Sequence, residues 1–459
     1  MFGRVFSDKW GIFSLFVLFV SILIWSVLEM RAYHSLGAPL KDPIQSVMGP
    51  MNLAEQVAAI MLSWHSLELV SLRKVQSLWA GYGHICQVTA RATTAAAAEQ
   101  MRQRYGDVGT PGEDGKEMFA LILKLISPPP TPSRGEVEGH LRKILSYEVE
   151  QNFYGSIVPR LGRDLPMARC IAATQGKLGS DTPESLTATM MTDLRPKYPV
   201  AGEKRAALNE TQVHAALDWL SQFHRKSWEI LPMPLQDLLL PPLEEADRRK
   251  RGDAPGRSVW LNGGYTYLAT RRQEYASLAA DSDSEWSSTL CQLSSPRESS
   301  IAEKVADVLT PRGRDHETLI HGDVKSENLF TTHSGSEVAF YDFQYVGLGL
   351  GVCDLAKLFT CSVPLHMLTD DDGPAGLQMS EGERKLLERY RENLLAGTGK
   401  AYDWATFVRH WETALVDWLR FQASWGFWGN TEWLEARVRS ILEDQNWRTW
   451  LDEQQSPLN

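Results

Sequence analysis

The segment His321–Gln344 constrains the fold of this chain more than any other. It opens with the sequence HGDVKSEN and closes with DFQ, and two short apolar runs between them flank the polar turn TTHSGS. Short apolar runs around such a turn predict a β-hairpin, with a loop before it and a loop after it. Strands of that kind would hold polar groups that are distant in sequence near one point.

Three of those polar groups suit one chemistry. Phosphoryl transfer depends on positioned oxygens and metal ions more than on covalent catalysis by the protein. In that chemistry Asp323 would accept the proton of the acceptor hydroxyl, Asn328 would reach a metal ion, and Asp342 would hold the metal that bridges the nucleotide phosphates. The full combination favours this interpretation over a hairpin with scattered surface acids.

These motifs resemble the protein-kinase-like fold, and within it the small-molecule branch: aminoglycoside phosphotransferases, choline and ethanolamine kinases, and the CHK kinase-like or ecdysteroid kinase-like proteins. Protein kinases usually carry H-R-D and D-F-G where this chain has H-G-D and D-F-Q. The resemblance implies an α+β, bilobal fold with a small β-rich N-lobe and a larger, mainly helical C-lobe, and ATP and Mg²⁺ as cofactors. Lys325 departs from many members of that branch. It stands where Ser/Thr protein kinases keep a lysine near the transferring phosphate, so we expect it to steady the moving charge.

The resemblance also implies a phosphate-binding loop upstream. Residues 78–88 predict a strand, a glycine turn and a strand, in which Gly81 and Gly83 would let backbone N–H groups approach the phosphates. Lys124 lies in the apolar run 118–126, where a charge is costly unless it is paired. By resemblance it is the lysine that binds the α- and β-phosphates, and the alternative is an edge lysine that reaches solvent.

The partner of this lysine is expected on the next helix, over residues 137–161. By resemblance the partner is a glutamate four residues before a tyrosine, which selects Glu150 ahead of Tyr154. Glu148 is the rival. Because it lies two residues from Glu150, the two carboxylates are on different helix faces.

The connection to the C-lobe is predicted over residues 186–194, as a last N-lobe strand and a hinge that binds adenine near Met191–Asp193. Asn209 suits the N-cap of a helix that ends near residue 228, and its Asn-Glu-Thr sequence is also a glycosylation sequon. By resemblance Asp354, after the glycine-rich run 347–351, is a helix N-cap that also braces the catalytic loop.

The C-terminal part, from about residue 380, is predicted to be helical. Trp411, Trp418 and Trp425 recur every seven residues and therefore share a helix face. Such a face is typical of a buried core. The alternative is an acceptor wall, since aromatic rings and nearby carboxylates suit a cationic or amine-bearing substrate.

An N-terminal transmembrane helix is predicted over residues 10–28, after a tail over residues 1–9. The nineteen residues Trp10–Leu28 carry no charge and as a helix would span about 28 Å, close to the thickness of a bilayer core. A cleaved signal peptide is the alternative, although no small-residue cleavage site follows. Positive charges on the two sides nearly balance, so their distribution leaves the orientation open.

The expected organisation then continues with a juxtamembrane helical or linker region over 29–73, an N-lobe over 74–194, a C-lobe over 195–445 and a tail over 446–459. Insertions near 244–258 and 282–300 are charged or Ser-rich and are predicted to be disordered.

The net charge of −10 argues against nucleic acid as a partner. Five cysteines without metal-type spacing argue against a disulfide framework, and together with ATP use they favour catalytic lobes that face the cytosol. The sequence therefore predicts a single-pass membrane protein that phosphorylates a hydroxyl of a small molecule, with a cationic acceptor among the options. A membrane-tethered pseudokinase and a protein kinase are the alternatives. The intact catalytic set opposes the first, and the lack of an Ala-Pro-Glu-type segment opposes the second.

Overall fold

An antiparallel sheet and two helices form the N-terminal part of the protein in the computed structural model, which describes residues 51–106, 109–112, 115–129, 137–174, 186–253, 256–293, 298–370 and 375–455. The helices are α1 (Leu53–Ser63) and α2 (Ala95–Tyr105), and the strands are β1 (Leu67–Ser77), β2 (Gly83–Ala92), β3 (Gly109–Pro111), β4 (Glu117–Ile126), β5 (Cys170–Ala173) and β6 (Thr187–Thr192). The strand order is β1-β2-β4-β6-β5, with β3 paired to β4.

One face of this sheet is buried against the two helices. Alternate residues of β2 are buried, including Val88 and Ala90, and they join one apolar cluster with Met61 of α1 and Met101 of α2. Period-two burial is what a sheet with one covered face requires. The central strand of the sheet is β4, and its buried end carries Lys124.

The helix α3 (Val137–Asn152) connects this sheet to the larger, helical part of the molecule. The helices of that part are α4 (Glu210–Trp228), α5 (Pro242–Arg251), α6 (Arg272–Ala280), α7 (Ile301–Leu309), α8 (Val352–Ser362), α9 (Leu365–Leu368), α10 (Glu381–Leu395), α11 (Trp404–Trp425), α12 (Thr431–Glu443) and α13 (Gln445–Glu453). Phe153, just after α3, stacks on Phe343 with ring centroids 4.4 Å apart, so the apolar core of the helical part reaches the end of α3.

Two small sheets lie among these helices. Their strands are β7 (Val200–Ala201), β8 (Glu317–Ile320), β9 (Leu329–Thr331), β10 (Val338–Phe340) and β11 (Gly347–Leu350). The strands β9 and β10 form the predicted hairpin, with Val338 opposite Thr331, and β8 pairs antiparallel with β11. These strands fix both ends of the segment His321–Gln344.

The predicted two-part α+β organisation is confirmed. The strand–turn–strand at Gly81 and Gly83, the strand β6, and the helix after Asn209 are all present, and the Asn209 side chain accepts from Gln212 N in a capping box. The predicted membrane span at 10–28 lies outside the described residues. Within the described ranges, no helix is both long and apolar enough to cross a bilayer.

Four sequence predictions about order and boundaries differ from the structure. The predicted disorder near 244–258 is wrong for most of that segment, because α5 occupies it and the buried Arg248 donates to Leu238 O at 2.8 Å. The predicted disorder near 282–300 is wrong for the part of that segment where Trp286 is buried and Ser287–Cys291 forms a helical turn.

The other two differences concern the ends of the fold. The sheet starts before the predicted boundary at 74, because β1 begins at Leu67. The predicted tail from 446 is largely the helix α13, which packs because Trp447 and Leu451 are buried on one face.

Candidate functional site

The loop after β8 places Asp323 at the centre of the site, and a buried carboxylate holds that loop. Asp354, on α8, accepts from His321 N at 2.7 Å and from Gly322 N at 2.8 Å. Gly322 has φ +80°, and a Cβ there would lie 2.5 Å from Tyr345 O, so the position requires glycine. The expected bracing by Asp354 is present. The expected N-cap is not, because α8 begins at Val352 and Asp354 lies inside its first turn.

Asp323 is buried and surrounded by donors. Its Oδ2 accepts from Asn328 Nδ2 at 3.0 Å and lies 3.1 Å from Lys325 Nζ, while Lys357 Nζ lies 3.5 Å from Oδ1. Burial raises the pKa of Asp323, but Lys357 and Lys325 outweigh burial and the pKa is about 2. The carboxylate is therefore ionised at neutral pH and able to accept a proton.

Asn328 and Asp342 lie next to each other across the hairpin, since Tyr341 N donates to Asn328 O at 3.0 Å. The Asn328 amide nitrogen makes both side-chain hydrogen bonds, to the backbone and side chain of Asp323, which leaves its amide oxygen for a cation. Asp342 is partly exposed and has φ +67°, a strained conformation for a residue with a side chain. Gln344 Nε2 donates to Asp342 Oδ1 at 2.7 Å and so helps to fix it.

Lys124 joins the two parts of the molecule at this site. Its Nζ lies 2.5 Å from Glu150 Oε2 and 3.0 Å from Asp342 Oδ1. Glu148, the rival, instead pairs with Arg249 on α5 at 2.9 Å. Burial lowers the pKa of Lys124, but the two carboxylates outweigh burial and raise it above its ordinary value. The lysine is therefore a fixed cation at the predicted position.

Gly81 and Gly83 flank the turn between β1 and β2. Both have positive φ, at +75° and +138°. A Cβ at Gly83 would lie 2.0 Å from Leu125 O, so the turn approaches the strand of Lys124 closely at that point. At Gly81 a Cβ would meet no atom of the described chain within 4 Å. The assignment of these glycines to phosphate binding stays a prediction, as does adenine binding near Met191–Asp193.

The residues present fit a magnesium ion that is shared with a nucleotide. Mg²⁺ in kinase sites is usually held by one or two protein carboxylates together with substrate phosphates and water. Asp342 and Asn328 supply oxygens of that kind from one side of the hairpin. Among the described residues, no three His, Cys, Asp or Glu side chains cluster as a metal site made by protein alone.

The predicted tryptophan face runs from the core to the surface. Trp411 and Trp418 are buried, whereas Trp425 at the end of α11 is 59% exposed. The core interpretation is therefore correct for the first two residues. Trp425 stacks on Phe421, with ring centroids 6.2 Å apart.

Lys357 is the site residue that the sequence reasoning missed. It is buried, and its Nζ donates to Gly322 O at 2.7 Å in addition to its contact with Asp323. The signal was its position three residues after Asp354 on one helix, because residues so spaced share a helix face. A lysine on the face that braces the loop is expected to reach the same loop.

A sequence model of the ecdysteroid kinase-like family matches residues 107–372, more than half of the chain. A search of curated proteins found no match to this chain. Similar solved structures include a choline kinase from Cryptosporidium parvum, at 12% identity over 85% of this chain and 91% of the other, with a TM-score of 0.36. A macrolide 2′-phosphotransferase from Brachybacterium faecium is 13% identical over 88% of this chain and 99% of the other, with a TM-score of 0.36.

Proposed function

Because this chain belongs to the ecdysteroid kinase-like family, we propose that it is an ATP- and Mg²⁺-dependent phosphotransferase that acts on a hydroxyl of a small molecule. The observation that carries this proposal is the joining of two groups of residues. The ion pair of Lys124 with Glu150 contacts Asp342, which follows the hairpin β9–β10, and Asp323 and Asn328 lie on the loop before that hairpin. A scaffold that only bound a partner would not require this set.

In the proposed reaction the acceptor oxygen forms a bond to the γ-phosphorus while the bond from phosphorus to the leaving ADP oxygen breaks. The hydroxyl proton passes to the Asp323 carboxylate, which is ionised and held by Asn328. Lys325, 3.1 Å from that carboxylate, steadies the charge of the moving group.

Lys124 positions the α- and β-phosphates, and Glu150 holds the lysine in place. Asp342 and Asn328 are the residues that would hold magnesium, which when bound neutralises charge on the phosphates. The partial exposure of Asp342 supports this role, because a ligand can reach its carboxylate from solvent.

The test is phosphoryl transfer from ATP to a mixed library of small hydroxyl compounds, with the full-length protein and Mg²⁺. Asp323→Asn is expected to lower turnover by at least about 100-fold, the scale of general-base catalysis, while Mg²⁺-dependent nucleotide binding stays near the original level. Asp247→Asn is the matched control, since Asp247 is exposed and its ion pair in the described part of the chain is with the exposed Lys250.

Two outcomes would overturn the proposal. Nucleotide binding without transfer would favour a pseudokinase. Transfer to peptides but to no small hydroxyl compound would favour a protein kinase, the alternative that Lys325 keeps open.

We also propose that residues 10–28 anchor the protein in a membrane and that the catalytic lobes face the cytosol. The uncharged length of the segment and the need for ATP support this proposal. The full-length chain is expected to stay with membranes after alkaline carbonate extraction, and deletion of 10–28 should release it. A deletion variant that stays in the membrane fraction would contradict the anchor.

A further inference from the structure

Lys357 is a buried lysine beside the proposed base. Burial lowers its pKa, and the Asp323 carboxylate acts in the opposite direction. Its side chain is 5% exposed, and its nearest carboxylate is Asp323, at 3.5 Å. Lysines are rarely buried, because moving an ammonium out of water is costly unless other groups compensate. The polar partners of this ammonium are Gly322 O, which accepts from Nζ at 2.7 Å, and the more distant Asp323 carboxylate, which Lys325 also approaches.

Aromatic rings also surround this ammonium. Lys357 Nζ lies 4.3 Å from the ring centroid of Tyr265 and 5.1 Å from that of Trp418. A cation within about 6 Å of an aromatic face is attracted by the ring quadrupole. The carboxylate and the two rings together form a site for a positive charge, and a side chain of the protein already fills it.

A second cation of the chain contacts the same aromatic cluster. Arg271 Cζ lies 5.5 Å from the Tyr265 centroid, 5.4 Å from that of Phe421 and 5.0 Å from that of the exposed Trp425. The aromatic wall beside the base is therefore already matched by two of the chain's own positive charges. A cationic acceptor would meet like charges there.

We propose that Lys357 determines the charge of the acceptor: its ammonium fills the ring-lined position beside Asp323, so the enzyme uses neutral or anionic hydroxyl compounds and rejects cationic ones. This inference rests on the proposed phosphotransferase function and narrows its substrate class. It opposes the alternative interpretation of the tryptophan face as a wall for a cationic or amine-bearing acceptor.

The size of the discrimination follows from Coulomb's law. A second positive charge about 5 Å from Lys357 would be disfavoured by at least about 100-fold in binding at an effective dielectric constant of about 20. The Asp323 carboxylate and the Lys325 ammonium lie 3.1 Å apart and carry opposite charges that largely cancel for a third charge, so the repulsion by Lys357 remains.

The experiment compares hydroxyl compounds of matched shape and different charge, with the full-length enzyme, ATP and Mg²⁺. One pair is choline and 3,3-dimethylbutan-1-ol, and another is glucosamine and glucose. The neutral member of a pair is expected to have a kcat/KM at least about 100-fold higher. Lys357→Met keeps most of the length of the side chain but removes the charge, and should bring the ratio toward one.

Lys304→Met is the matched control. Lys304 pairs with Asp452 of α13, at 2.7 Å. The same change of side chain there should leave both kcat and the ratio unchanged. A wild-type enzyme that prefers the cationic member, or a ratio that Lys357→Met does not change, would overturn the inference while leaving the phosphotransferase function intact.

A second measurement does not depend on turnover. Lys357→Ala empties the ring-lined position, so excess methylammonium should raise the thermal unfolding midpoint of this variant and not that of the wild type. No stabilisation of Lys357→Ala would refute the claim that the position selects a cation. Failure of the wild type to transfer phosphate to any compound would overturn the proposed function and, with it, the acceptor selectivity.

Discussion

The carboxylate of Asp354 should control both the stability of the helical part and the rate of catalysis. It is 1% exposed, and each of its oxygens accepts from a backbone N–H of the catalytic loop, His321 N and Gly322 N. His224 Nε2 lies 3.1 Å from Oδ2. The substitution Asp354→Asn keeps the size and shape of the side chain and changes only its charge and one of its acceptors.

The expected cost follows from these contacts. An asparagine offers one oxygen and one NH₂ group, so in either orientation one backbone N–H of the loop faces a donor. A buried donor without a partner costs about 1–3 kcal/mol, and the remaining hydrogen bonds lose their charge-assisted strength, about half of their value. We expect the free energy of unfolding to fall by about 3 kcal/mol and kcat to fall at least about tenfold, because the loop carries the base.

The assay is urea unfolding of the full-length protein followed by tryptophan fluorescence, together with turnover at a temperature where the variant is folded. Asp218→Asn is the control: Asp218 is also in the helical part, but it pairs with Arg389 at the surface, where such pairs contribute about 0–1 kcal/mol. An Asp354→Asn variant as stable and as active as Asp218→Asn would refute the bracing role.

The pH dependence of stability gives a second view of the same group. Burial raises the pKa of Asp354, but the hydrogen bond from His224 and nearby charges outweigh burial and lower it. A depressed pKa in the folded state contributes stability that is present above the unfolded pKa and lost as pH falls through the folded pKa. The wild type should therefore lose more stability on acidification than Asp354→Asn does.

Three further predictions concern residues of the candidate functional site. Asp323 must be ionised to act, and Lys357 helps to hold its pKa at about 2. This group should therefore add no acidic limb to the pH profile of kcat/KM between roughly pH 5 and 8. A limb with a midpoint inside that range would contradict the assignment of Asp323 as the base. Lys124→Met should raise the KM for ATP at least about tenfold, the scale of one lost charge-assisted contact, and unchanged ATP kinetics in steady-state assays would exclude its role. Gly322→Ala should reduce turnover sharply, since the new Cβ would lie 2.5 Å from Tyr345 O, and a variant with wild-type kinetics would show that the loop shifts freely.

The features that the sequence predicted correctly depend on short-range patterns. The hairpin and its two loops lie within one continuous segment, where apolar runs and a polar turn specify the pairing directly. The helix after Asn209 could be predicted because its cap and apolar face are local. The pairing of Lys124 with Glu150 needed the resemblance to choose between two glutamates, since composition does not show which one faces the sheet.

The features that the sequence did not predict depend on contacts between distant residues. Composition alone predicted disorder near 244–258, yet Arg249 pairs with Glu148, which lies 101 positions earlier, and that contact cannot be read from a run of charges. The same reasoning explains the tryptophan face. Aromatic rings beside carboxylates left a wall for a cationic acceptor as an alternative in the sequence, whereas the structure shows the chain's own Lys357 4.3 Å from the Tyr265 centroid and bonded to the catalytic loop. A pattern of residue types can therefore identify an attractive site, whereas the identity of its occupant depends on tertiary structure.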